Sequence, residues 1–128
     1  MADYQPGACN IGAAERRKRY RTGVASFAAA ALLVVAVLLV DAPAFWLLAT
    51  VLPLFGGFLG VMQARAGFCV GFAMAGVYDV SDAGGRRRVA PESGQRADRK
   101  RAIVLPLQAL AAATACALGV YAVGAVAL

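Results

Sequence analysis

Residues 16–43 read RRKRYRTGVASFAAAALLVVAVLLVDAP. Five cations (Arg16, Arg17, Lys18, Arg19 and Arg21) precede a stretch, 23–40, that carries no charge, and Asp41-Ala42-Pro43 closes it. At a helical rise of 1.5 Å per residue that stretch is about 27 Å long, close to the roughly 30 Å hydrocarbon core of a bilayer. Asp and Pro favour a tight turn, and Pro is suited to the first position of a new helix. The stretch therefore reads as one membrane crossing, basic at one end and turning back at the other.

The pattern extends in both directions. Residues 44–62 are apolar and open with Phe45 and Trp46, where an aromatic belt is expected. Pro53 inside this run predicts a mild kink, because its nitrogen cannot donate back toward Ala49. Gln63 and Arg65 mark the next interface. Residues 66–80 are apolar again but short for a straight crossing, and Gly67, Gly71 and Gly76 lower their helicity. They read as a short helix, interfacial or partly buried under the bundle. Residues 81–101 (SDAGGRRRVAPESGQRADRKR) are a charged loop whose later half begins the last helix. Residues 102–127 form a third apolar run, long enough to cross with some tilt, with Pro106 in its first turns. Upstream, residues 1–12 are irregular, Gly12 is a candidate cap, and Glu15 suits a helix N-terminus. Residues 13–22 fit either an interfacial helix on anionic lipid or the first turns of the next helix.

The fold class expected is all-α: a polytopic membrane protein with three transmembrane helices, a hairpin plus a third, and a short interfacial helix. The chain divides into a basic segment (1–22), a hairpin with its interfacial segment (23–80), a basic loop (81–101) and the third helix (102–128). Composition agrees. Of 128 residues 61% are hydrophobic, above the roughly 45–50% of soluble domains, and one domain leaves no room for a separate catalytic module. A net charge of +6 raises nucleic acid as a partner, but the cations flank apolar runs without aromatic interleaving, so no nucleic-acid partner is expected. With the N-terminus inside, both basic clusters and Arg65 lie on the cytoplasmic side of the inner membrane and the C-terminus lies outside, as the positive-inside rule requires. A fourth crossing at 66–80 would export Arg86, Arg87 and Arg88. A signal peptide ending near Ala42-Pro43-Ala44 is the rival reading; the apolar run is longer than a typical signal core, and cleavage would start the chain inside another membrane helix.

There is no histidine, and Cys9, Cys69 and Cys116 are odd in number with no CxxC spacing. No catalytic, cofactor or metal set is indicated, and no enzyme activity is expected. Four groups of residues have a functional reading beside a plain one. Gly56 and Gly60, extended by Ala64, form a small-residue row that fits a homodimer seam or packing within the chain; Ala111, Ala115 and Gly119 form another. Cys9 and Cys69 fall on the basic side, where neighbouring arginines favour thiolate and hence persulfide or redox chemistry; the plain reading is a packed thiol and an incidental one. Gln63 and Arg65 are candidate anion or lipid contacts, or Arg65 snorkels or pairs with Asp79. Cys116 reads as packing.

Asn10-Ile11-Gly12, the basic segment after it, Gly23, the hairpin with Pro53 and Gly56-Gly57, and Gly67-Phe68-Cys69 together resemble the YgaP-like transmembrane domain family over about residues 9–80. The resemblance implies a two-helix membrane hairpin that in some proteins is joined to a rhodanese domain and forms a homodimer in the inner membrane. Val70 stands where the family often has Pro, and the third helix lies outside the pattern. It supplies a topology more than an activity. The expected role is a non-enzymatic scaffold or accessory subunit that self-associates or docks a partner, such as a sulfur-metabolism protein, in the lipid bilayer. The alternative is an oligomer that passes a small anion or handles persulfide through Arg65, Gln63, Cys9 and Cys69.

Overall fold

The computed structural model describes residues 4–80, 86–89 and 91–127. Part of the expected loop, including Asp82, Gly84 and Gly85, lies outside the described residues. The chain is mostly helical, and three helical stretches are long and apolar enough to cross a membrane: Ala13–Leu39, Ala44–Ala66 and Glu92–Ala127.

Helix α1 is Ala13–Leu39, so the basic residues 13–22 form its first turns. It ends in a Schellman motif. Asp41 takes φ 56, Ala42 N–H bonds the Val37 carbonyl at 3.1 Å, and Asp41 N–H bonds that of Leu38 at 3.4 Å. Aspartate is among the few side chains that tolerate this left-handed turn. The kink expected at Pro53 takes another form. Ala44–Thr50 winds as a 3₁₀ helix and the α-helix proper, α2 (Val51–Ala66), begins just before Pro53. A missing N–H costs nothing in a first turn. Helix α3 is Val70–Ala75, and α4 is Glu92–Ala127. Pro106 therefore sits inside α4 and not in its first turns, removing the donor that would reach back to Ala102. A small β pair, β1 (Val77–Tyr78) with β2 (Arg87–Arg88), runs antiparallel and was not expected in an all-α chain.

Helix α2 is the centre, packing on α1 and on α4. Its glycines set the approach to α1. A Cβ at Gly60 would fall 2.7 Å from the Gly23 Cα, and one at Gly23 would fall 2.8 Å from the Val61 nitrogen. The buried positions of α1 at Gly23, Ala30 and Val37 recur every seven residues along this seam. Helix α4 buries a second narrow seam, with Ala102, Ala109, Ala113 and Ala117 each at most 4% exposed. The outside is apolar: Leu39, Leu52 and Val126 are 80%, 74% and 91% exposed. Water would penalise such a surface at roughly 25 cal/mol per Å²; lipid does not.

At the basic end the chain is tied by hydrogen bonds. The Gly67 carbonyl accepts Asn10 N–H (2.9 Å) and Ile11 N–H (3.2 Å), and a bridge joins Ile11 to Asp79 through Gly12 N–H to the Asp79 carbonyl (2.7 Å). Ile11, Cys69 and Phe72 form one buried cluster beneath this knot, and Phe68, Ala73, Ala102 and Leu105 form another.

Gly60→Ala should cost roughly 1–3 kcal/mol through the α1–α2 contact, whereas Gly119→Ala, inside α4 with nothing within 4 Å of the added methyl, should cost nothing and gain up to about 1 kcal/mol of helix propensity. Thermal unfolding in detergent checks this: a lowered midpoint for the first and an equal or raised one for the second.

Candidate functional site

The polar contacts of the basic end converge on residues 67–70. Gly67, at φ 68, ends α2 in the left-handed conformation and turns the chain toward α3. Asn10, fully buried, then holds Cys69 by both backbone groups. Its Nδ2 donates to the Cys69 carbonyl at 3.0 Å, and Cys69 N–H donates to its Oδ1 at 2.6 Å. Gln63 supplies the next tie, its Oε1 accepting Val70 N–H at 2.8 Å. That bond satisfies a donor that the first turn of α3 would otherwise leave open.

The Cys69 thiol, 4% exposed, accepts a hydrogen bond from Arg19 Nη2 at 3.1 Å. Arg19 is aimed by Glu15, one turn earlier, whose Oε2 lies 3.3 Å from its Nη1. The guanidinium also stands 5.6 Å from the centre of the Phe72 ring, and Arg86 stands 4.9 Å from the same ring. Such contacts add cation–π attraction. Arg19 remains partly exposed, at 24% of its side chain, and links the buried sulfur to the basic surface. Cys9 lies against the same segment: its Sγ donates to the Ile11 carbonyl at 3.6 Å and would sit 3.3 Å from a Cβ at Gly67. All three cysteines are free thiols.

Gln63 is buried as a backbone cap, whereas Arg65 is exposed. Arg65 lines a cleft of about 320 Å³ with Arg16, Arg17, Tyr20, Arg21 and Ala64. Asp79, the partner considered for Arg65, is buried, with its backbone bonded to Asn10 and Gly12. Gly56 faces Ser26 and Gly60 faces Gly23, both in α1, and the carbonyl of buried Ala64 accepts Arg16 Nε at 2.8 Å. The other row, Ala111, Ala115 and Gly119, is exposed on α4. Cys116 is exposed too, lining an apolar cavity of about 600 Å³, and is not packed inside the chain.

Sequence reasoning missed Asn10, Arg19 and Asp98 as organising residues. The Glu15–Arg19 spacing of four signals an ion pair; its aim at a thiol fifty positions away carries no local signal. Asp98, fully buried on α4, accepts the Tyr4 hydroxyl at 2.7 Å and Gly7 N–H at 2.8 Å, which pins the N-terminal segment. Tyr4 stacks on Tyr78 with ring centres 4.4 Å apart. Among the described residues there is no group of three or more acidic, cysteine or histidine side chains that would hold a metal.

Comparison with protein-family models, with curated proteins and with solved structures found no match.

Burial, and then the Asp98 carboxylate, push the Tyr4 hydroxyl above the ordinary phenol range. A group whose folded value is raised contributes stability below its unfolded value, near 10 for tyrosine, and loses it as pH rises further. The wild-type thermal midpoint should therefore fall above about pH 10 more steeply than that of Tyr4→Phe, as read by paired pH-dependent melts.

Proposed function

We propose that this chain is a non-enzymatic accessory subunit of the cytoplasmic membrane that carries sulfur on the Cys69 thiol at its inner face. It crosses three times, N-terminus inside and C-terminus outside. The alternation of basic and apolar stretches supports that orientation, since it keeps every Lys and Arg on one side. Membership of the YgaP-like family is part of this reading. Its support is that the two quoted motifs, Asn10-Ile11-Gly12 and Gly67-Phe68-Cys69, are hydrogen-bonded to each other across the fold.

The observation that carries the reading is the Arg19 N–H on the Cys69 sulfur at 3.1 Å. Sulfur exchange passes through anionic sulfur at the nucleophile, and the guanidinium is a charged donor placed on that atom. The step is a sulfur transfer. Cys69 thiolate attacks the outer sulfur of a persulfide donor, the new S–S bond forms at Sγ, the donor S–S bond breaks, and the donor leaves as its thiolate. The proton of the donor persulfide stays on the transferred sulfur, and no external oxidant is consumed. Handing that sulfur to a partner's thiol reverses the exchange.

Treatment of the detergent-solubilised protein with polysulfide, followed by alkylation and peptide mass spectrometry, tests this. The Cys69 peptide should gain one sulfur atom. The gain should vanish in Cys69→Ser, fall several-fold in Arg19→Gln, and persist in Cys9→Ser. A Cys69 peptide that stays unmodified, or that loads equally without Arg19, overturns the reading.

A second reading, self-association, rests on the exposed Ala111 and Ala115 of α4. Small residues there let a second α4 approach closely. Ala111→Ile with Ala115→Ile should then abolish a cross-linked dimer in native membranes, and a dimer unchanged in yield would rule it out.

A further inference from the structure

The cleft around Arg65 belongs neither to the thiol site nor to the α1–α2 seam. Arg16 is fixed there, its Nε on the Ala64 carbonyl and its Nη2 3.4 Å from that of Arg65, so it neutralises the C-terminal end of α2. The ion pairs among the described residues are Lys18–Glu15 and Arg19–Glu15. Arg17, Arg21 and Arg65 therefore face the cleft with their charges uncompensated by a described carboxylate, and Tyr20 adds a hydroxyl.

Helical spacing sets an apolar line on the same side of both helices. Along α1, Tyr20, Phe27, Ala31 and Val34 share one line at spacings of seven, four and three. Along α2, Leu54, Phe58, Val61 and Arg65 do the same at four, three and four. Phe27 and Phe58 meet edge to face, 5.1 Å between ring centres. Beyond them lies a cavity of about 250 Å³ lined by Phe27, Ala30, Ala31, Val34, Leu54 and others. From Tyr20 to Ala31 is about 16 Å of helix rise, close to the thickness of one leaflet, roughly 15 Å. A phosphate at the arginines thus places a fatty tail along the aromatic pair with its end in the cavity.

We infer that this face is a seat for one anionic phospholipid of the inner leaflet, with its phosphate among Arg17, Arg21 and Arg65 and a tail in the Phe27–Leu54 cavity. The inference rests on the membrane orientation proposed above, and not on the thiol chemistry. Basic side chains near a bilayer are each a weak attraction for anionic lipid; the groove is what turns three of them into a site for a single molecule.

Native mass spectrometry of the full-length protein in detergent tests this, with phosphatidylglycerol and phosphatidylcholine as the lipids offered. One phosphatidylglycerol should be retained per chain in preference to phosphatidylcholine. Arg21→Gln with Arg65→Gln should reduce retention roughly tenfold. Ala31→Trp, which fills the tail cavity and leaves the arginines in place, should also reduce it, with helix content by circular dichroism unchanged. If Ala31→Trp loses helix content, Leu54→Phe serves the same purpose. Equal retention of both lipids, insensitivity to the arginine pair, or displacement of the lipid by equimolar inorganic phosphate would each overturn the seat. A chain that loses the preference yet still requires detergent leaves the membrane reading standing.

Discussion

At Gly23 and Gly60 two helix backbones touch. There is no room for a side chain between them, since a Cβ on either would fall within 2.8 Å of the other's backbone. In lipid, where apolar side chains gain little from meeting one another, such close contact supplies the dispersion energy that holds helices together. It also fixes register. With Gly23 opposite Gly60, the first turns of α1 lie beside the last turn of α2, and the cations at 16 and 19 arrive where the Ala64 carbonyl and the Cys69 sulfur wait. A slip of one turn along the seam would move them by about 5.4 Å, beyond the reach of either bond.

The polar knot at the basic end follows from what α2 leaves unfinished. A helix that stops leaves its last carbonyls free and must hand its chain onward. Here Arg16 covers the carbonyls of Ala64 and Arg65, Gly67 makes the left-handed turn, and Asn10 and Ile11 come from the N-terminus to bind the Gly67 carbonyl. Asn10, Gln63 and Glu15 each serve a backbone group or a charge, and among the described residues no buried side-chain nitrogen or oxygen lacks a partner. That economy makes Cys69 conspicuous. Asn10 and Gln63 hold its backbone and the next residue's, while Glu15 aims Arg19 at its sulfur. A thiol that only filled space would not need a guanidinium directed at it.

Much of this was legible in the sequence where the signal is local. Uncharged runs, cation blocks and Asp-Ala-Pro give the three long helices and the turn, because length and charge act residue by residue. Signals that depend on a distant partner were not legible. Small residues at 56, 60 and 64 are equally good at meeting another copy or α1, and only Gly23 in the fold selects the latter. Gln63 looked like an interface residue because it sits near Arg65, yet residues two apart on a helix point about 160° from one another, and one is buried while the other is exposed. The last helix starts at Glu92, in the later half of the charged stretch as expected, and that places Pro106 well inside it, not in its first turns; Asp98, holding Tyr4 and Gly7, anchors the charged start.

Helical phase also explains how one short basic segment can serve two purposes. Glu15 and Arg19, four apart, share the face of α1 that looks at α3 and the thiol. Arg17, Tyr20 and Arg21 fall on the other side and line the cleft with Arg65. Arg16 lies between the two and is occupied by the end of α2. The separation works because residues 13–22 are the first turns of a helix that packs on α2 further along, at Gly23, Ala30 and Val37. An interfacial helix free to roll on the bilayer could offer the same charges to lipid, but it could not hold one arginine on a sulfur while its neighbours, two positions either side, line a separate cleft.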